Sequence, residues 1–193
     1  MATMDSIATW SAAAGDRERG LAWRDAVTAS MIDAGRYVDY DELVAAAADE
    51  FRLPSSAPRL LREAWSRMRP WPDTAALDHV AVPYAFVTNC STELATVAVE
   101  RSGLRPAFTL AAEEAGWFKP RPEVYALAVE RLGIDAGATR FVAGAAYDAN
   151  GASGSGLPTV FVARRGIHEP LARGIRVVDA LTEAVADLGR PEA

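Results

Sequence analysis

The sequence predicts an α/β protein with a parallel sheet, and three observations predict it. Short apolar runs recur between residues 84 and 178, each bounded by turn-forming residues. Segments of helical spacing separate these runs, the alternation expected of parallel strands joined by right-handed crossovers. Residues 5–78 instead read as one helix after another, so a helical region over 5–78 and a sheet region over 79–193 are expected.

Asp16 is placed to cap a helix over 17–33 that ends at Gly35, with Leu21, Val27, Met31 and Ile32 on one side. A second helix is expected over 41–50, started by Asp39 or Asp41, and a third over 57–68. Pro70-Trp71-Pro72 stops the third helix and marks the clearest internal boundary. Residues 84–88 then form a short apolar run of the kind a buried parallel strand needs. A helix over 92–102, closed by Gly103, leads to a strand at 108–110. Another over 122–132, closed by Gly133, leads to a strand at 140–143. Residues 148–156 are rich in small side chains and read as a loop with a short helix. A strand at 159–163, a short one at 176–178 and a terminal helix over 182–188 complete the pattern, which has no internal repeat and no low-complexity tract.

The 193 residues carry a formal net charge of -6, so no basic face invites nucleic acid or an anionic membrane. No apolar stretch approaches the roughly 18–20 residues that span a bilayer. Residues 1–10 lack the basic start of a signal peptide, so a cytoplasmic protein is expected. Cys90 is the one cysteine and has no intramolecular partner; it reads as a small buried hydrophobe or as a nucleophile in a reactive loop. His79 and His168 lie far apart and suggest no zinc cluster. Lys119 is the one lysine, and every other basic residue of the 20 is arginine. An ammonium is a compact point charge with a movable pKa, so its survival at one position points to a role there.

Two segments carry more than composition. Phe86-Val87-Thr88-Asn89-Cys90-Ser91 ends a strand in a hydroxyl and an amide. Phe118-Lys119-Pro120-Arg121-Pro122-Glu123-Val124-Tyr125 is followed by a strand and then by Tyr147-Asp148-Ala149-Asn150-Gly151. This order resembles the second, third and fourth motifs of the haloacid dehalogenase-like superfamily. The Lys-Pro-x-Pro-x-x-Tyr run is most similar to that of the L-2-haloacid dehalogenases, and Leu21-Ala22-Trp23-Arg24 and Arg36-Tyr37-Val38-Asp39-Tyr40 resemble their helical cap. The resemblance covers nearly the whole chain from about Asp5. It implies a Rossmann-like parallel sheet with a helical cap, and a homodimer acting on a small molecule, a carboxylate where Arg24 reaches it. It also implies catalytic roles for Lys119 as electrophile or acid–base group, Asp148 as its orienting partner, and Thr88 and Asn89 as binders of substrate oxygens. Arg24, Tyr40, Tyr147 and Tyr125 then bind substrate, Arg24 through its planar fork.

The chain departs from the pattern in two places. Relatives carry an aspartate nucleophile on a central first strand just ahead of the stretch that Asp5-Ser6 matches, and Met1-Ala2-Thr3-Met4 does not match it. Ala143, Gly144 and Ala145 stand where relatives have polar or magnesium-binding groups, so neither metal nor other cofactor is expected. Losing a covalent nucleophile costs on the order of 10⁶ in turnover, roughly 8 kcal/mol. The leading expectation is therefore a repurposed enzyme of a biosynthetic pathway doing metal-free, non-covalent chemistry: elimination, isomerisation or cyclisation. Two readings stand beside it: a true dehalogenase-like hydrolase whose nucleophile strand lies upstream of residue 1, and a catalytically silent binding protein. Two structural expectations follow. Without a central strand, the strands at 86–88 and 141–143 should close up and pair directly, the alternative being that a segment of this chain or of another fills the gap. Lys119 should be removable without loss of the fold.

Overall fold

A computed structural model describes residues 2–164, 169–186 and 188; His168 lies outside them. Four helices precede the first strand: α1 (Ser6–Ala14), α2 (Arg17–Ala34), α3 (Tyr40–Glu50) and α4 (Ala57–Trp65). A 3-10 segment, Pro72–His79, leads to β1 (Ala85–Thr88), α5 (Thr92–Ser102), β2 (Phe108–Ala111), the short α6 (Ala112–Ala115) and α7 (Pro122–Leu132). After β3 (Phe141–Ala143) come α8 (Ala146–Gly154), β4 (Thr159–Val162), β5 (Arg176–Val178) and α9 (Leu181–Val185). The protein is thus a helix-rich α/β fold with small parallel sheets.

Most elements lie where the sequence predicts them, and the differences have local causes. Residues 6–14 form a helix, because the Asp5 carboxylate accepts from the Ile7 and Ala8 amides and the Ala-rich run behind it favours helix. The buried stripe of α2 is Gly20, Trp23, Val27 and Met31, whereas Leu21 and Ile32 are half-buried. Gly20 belongs to that stripe because α1 approaches there: a Cβ would stand 2.6 Å from the Ser11 Cα. Trp23 is fully buried, meets the Trp10 ring edge-on at 4.8 Å and donates its indole N–H to the Val44 carbonyl. The third helix stops at Trp65 rather than at 68, with the Trp65 indole donating to the Leu94 carbonyl of α5. Residues 146–154 are one helix, which places Asp148 in its first turn. The last helix is described as Leu181–Val185, and residue 187 lies outside the described residues.

The sheet departs furthest from expectation. β1 pairs in parallel with β2, and β3, β4 and β5 form a separate parallel sheet in that order. Among the described residues β1 and β3 neither pair directly nor flank a third strand, so the expected closing-up does not occur. A cavity of about 520 Å³ reaches between them. All four residues of β1 are half-buried, whereas all four of β4, paired on both sides, are buried. The halves are held apart by what packs across them: α7 lies against both β1 and α8. Closing the slot would slide these helices by a strand spacing of about 4.8 Å.

A second polar junction ties the chain's beginning to the sheet. The Arg164 guanidinium, just after β4, binds both Asp73 carboxylate oxygens at 2.8 and 3.1 Å and donates to the Ala2 carbonyl at 2.7 and 3.1 Å. Asp73 also accepts from the Leu181 amide at 2.7 Å, serving as the cap that α9 lacks locally, and Trp71 lies under the guanidinium. Burial opposes ionisation of Asp73, but Arg164 and the Leu181 amide outweigh it and hold the carboxyl below its ordinary value. A lowered folded-state pKa gives stability that is present above the unfolded value, near 3.9, and is lost as pH falls through the folded one. Arg164→Met should therefore lower the unfolding free energy by about 2 kcal/mol at pH 7. Asp73→Asn should flatten the loss of stability below about pH 4. Urea titrations from pH 2.5 to 7 measure both, and an unchanged midpoint for Arg164→Met would show that the junction carries no stability.

Candidate active site

Lys119 sits between α6 and α7, at the end of a bond to Pro120 that is cis. Its side chain is buried, 6% exposed, and its ammonium donates to the Asp148 carboxylate at 2.7 Å and to the Val87 carbonyl at 2.8 Å. The Phe141 ring centroid lies 5.8 Å from the same nitrogen. Asp148, 7% exposed, uses its other oxygen to accept from the Tyr125 hydroxyl at 2.9 Å. Burial, then the Asp148 charge, push the Tyr125 phenol far above its ordinary value, so it stays protonated as a donor. The ammonium thus spans the slot: Val87 belongs to β1, and Asp148 to the helix that follows β3.

Asn89 does not present its amide to the cavity as an oxygen binder. Its Oδ1 accepts from the Lys119 amide at 2.8 Å and its Nδ2 donates to the Lys119 carbonyl at 2.9 Å, so the side chain brackets the lysine's backbone. The Tyr147 phenol lies against the same amide. Thr88 ends β1 on the cavity wall, with its hydroxyl 3.5 Å from the Cys90 sulfur. Arg24, Tyr40 and Tyr147 also line the cavity. Burial first of all raises both phenols, while the Arg24 charge acts on each in the opposite direction. Arg24 itself pairs with Asp25 at 3.0 Å.

The geometry limits the chemistry. Both Asp148 oxygens accept a hydrogen bond, one from Lys119 and the other from Tyr125. Among the described residues no group of three or more His, Cys, Asp or Glu stands close enough to hold a metal ion. Asp5 is committed to the first turn of α1. Burial pushes the Cys90 thiol up to about 11, well away from a nucleophile's range. What the cavity offers is a desolvated cation, aromatic walls and a guanidinium. Such a site stabilises negative charge strongly, because water is excluded from it.

Sequence reasoning did not single out Trp10 or Trp65, which also line the cavity. Packing of α1 on α2 and α4, and of α4 on α5, brings them there, and no local signal marks them. It also missed Gly151, where a Cβ would stand 2.5 Å from the Pro120 Cβ and 2.7 Å from the Tyr125 oxygen. That close approach lets α8 carry Asp148 up to Lys119.

No family model matches the chain. An (S)-2-haloacid dehalogenase of Pseudomonas putida is 30% identical over 166 residues, covering 77% of this chain and 72% of that protein. (S)-2-haloacid dehalogenases of Pseudomonas sp. (strain YL) and Xanthobacter autotrophicus are 34% and 31% identical over 112 and 117 residues, or 55% and 58% of this chain. The chain spans about half the length of these two, 48% and 46%. Among solved structures, a dehalogenase with intermediate complex superposes with a TM-score of 0.84 at 22% identity, covering 98% of this chain and 94% of that one. The L-2-haloacid dehalogenase of X. autotrophicus with chloropropionic acid covalently bound superposes at 0.79 and 20% identity, covering 95% and 94%. At these identities the likeness of structure shows the fold.

Two outcomes test the site as described. Cys90 in the native protein should resist a thiol reagent at pH 8, where a group titrating at about 11 is thiolate in only about one molecule in a thousand, and should react at once in denaturant; rapid native labelling would contradict the burial. Gly151→Ala should cost about 1–3 kcal/mol through overpacking against Pro120 and Tyr125. Equilibrium denaturation reads it, and no loss would mean that α8 gives way freely.

Proposed function

Because the chain belongs to the (S)-2-haloacid dehalogenase family, we propose that its cavity is the carboxylate-binding and charge-stabilising part of a dehalogenase-type hydrolase for small 2-substituted acids. The observation that carries this reading is the Lys119 ammonium, fixed between the Val87 carbonyl and Asp148 at the C-terminal ends of β1 and β3, in a cavity that Arg24 also lines. Ligands of open α/β sheets bind at those strand ends. Arg24 takes the substrate carboxylate through charge-assisted hydrogen bonds. Lys119 neutralises the negative charge that develops on the reacting atoms, with Asp148 and Tyr125 orienting it. Trp10, Tyr40 and Trp65 keep water away and so strengthen both interactions.

Hydrolysis at a carbon–halogen bond also needs an oxygen nucleophile. Asp148, Asp5 and Cys90 are each committed elsewhere, so in this reading the nucleophilic carboxylate comes from a segment outside the described residues. The rival reading, a repurposed enzyme of elimination, isomerisation or cyclisation, rests on the departures from the family pattern at 1–4 and at Ala143, Gly144 and Ala145.

The 193-residue chain should accordingly bind 2-chloropropionate weakly without releasing chloride. Arg24→Met should weaken binding at least tenfold, the loss of about one charge-assisted hydrogen bond. Calorimetric titration and a chloride electrode read the two. Binding indifferent to Arg24, or chloride release that survives Lys119→Met, would refute the assignment.

A further inference from the structure

We infer that the hydroxyls of Ser6 and Tyr40 form a polar subsite, which recognises an uncharged hydrogen-bonding group, a hydroxyl or carbonyl, on the C2 substituent of the acid. This rests on the hydrolase reading and names its substrate class more closely. Ser6 of α1, Arg24 and Thr28 of α2, and Tyr40 of α3 all line the cavity, which has a helical wall there. The Thr28 hydroxyl donates to the Arg24 carbonyl at 2.9 Å and is spent within its own helix. The Ser6 and Tyr40 hydroxyls form no hydrogen bond among the described residues, although these residues are only 5% and 4% exposed. Buried hydroxyls are ordinarily bonded, so two free ones on one wall call for a partner. Nor are they shut in: the sealed, unpartnered side-chain atoms belong to Ser11, Tyr37, Trp71 and Glu123. The oxygens of Ser6 and Tyr40 therefore keep an opening, and for residues buried this deeply it is the cavity that they line.

Packing alone does not ask for either oxygen. Ser6 stands one turn before the buried Trp10, and the Tyr40 ring meets that of Trp65 edge-on at 6.3 Å, so alanine and phenylalanine would fill the same places. The Tyr40 phenol feels both the Arg24 charge and the Tyr147 phenol, which sets its oxygen toward the end of the cavity where the carboxylate is held. Burial, the largest influence, raises that phenol well above its ordinary value, so it stays protonated as a donor. Among the described residues Arg24 is the one cation on this wall, and the carboxylate takes it, so the further group is uncharged. An oxygen on the C2 substituent accepts from Tyr40, while Ser6 donates or accepts as the group requires. An apolar substituent in the same place leaves both hydroxyls unpaired, and a site built to hydrogen-bond a substrate group rejects the analogue that lacks it.

Calorimetric titration of the 193-residue chain with two acids of equal size, 2-chloro-3-hydroxypropionate and 2-chlorobutanoate, tests this. The hydroxylated acid should bind about tenfold more tightly, the worth of one net hydrogen bond. Ser6→Ala and Tyr40→Phe should each cut that preference by about threefold, and together they should abolish it. Arg24→Met should weaken both acids alike, which separates carboxylate binding from the subsite. Equal affinities in the unaltered chain, both still dependent on Arg24, overturn the subsite and leave the hydrolase reading standing. A preference that survives the double variant overturns the subsite as well. Failure of either acid to bind at all overturns both.

Discussion

The buried ammonium of Lys119 is the interaction on which the rest of the sheet region depends. Its hydrogen bonds join β1 to the helix after β3, so it straps together two half-sheets that share no ladder. Burying an ion costs several kcal/mol, and its partner's attraction offsets this only when the remaining donors and acceptors are also used. Here two of the ammonium's three donors are used, on Asp148 and Val87, and Tyr125 donates to the other Asp148 oxygen. Removing Lys119 would leave Asp148 as an uncompensated buried charge, a loss of about 3–5 kcal/mol. A lysine variant should therefore lose stability as well as charge. One group both carries the site's charge and holds the framework around it, so a lost activity in a lysine variant says little by itself.

The surrounding residues make sense as supports for that strap. Asn89 clamps the lysine's backbone from both sides, and Gly151 admits α8 close enough for Asp148 to reach it. Asn89 is thus a positioning residue: an amide with both ends bound to backbone has little left for a substrate oxygen. The same economy explains why α8 is a regular helix where a loop was expected. Its small residues do not loosen the chain; they let it pack against Pro120 and Tyr125, with Ala149 and Ala152 fully buried.

How much of this was legible in the sequence differs by the range of the interaction. The caps at Asp16 and Asp39 and the terminators at Gly35, Gly103 and Gly133 act within a turn, so the helices they bound were readable. The meeting of Lys119, Asp148 and Tyr125 was readable through motif order alone, since nothing local says that residues 119 and 148 touch. The Arg164–Asp73 junction, 91 residues apart in sequence, left no signal. The open slot was misread for a different reason. The expectation counted every edge N–H and C=O as unsatisfied at about 1–3 kcal/mol each. That cost applies to groups sealed from water, and half-buried strands beside a cavity are not sealed.

If the sheet were the main source of cohesion, a missing ladder would be ruinous. The largest core cluster instead needs no ladder between β1 and β3, joining Trp10, Trp23, Val27 and Trp65 of the helical region to Leu94 and Ala95 of α5 and to Phe118 beside the lysine. A second cluster packs β4, β5 and α9 together with Phe86 of β1 and Val142 of β3, so it spans both half-sheets. Hydrophobic burial, which is non-directional, thus joins the two halves without a ladder between them. The directional bonds are left to fix their separation, and they concentrate at the C-terminal ends of β1 and β3. An arrangement of that kind fixes the charged end of the cavity by hydrogen bonds and the rest by apolar packing.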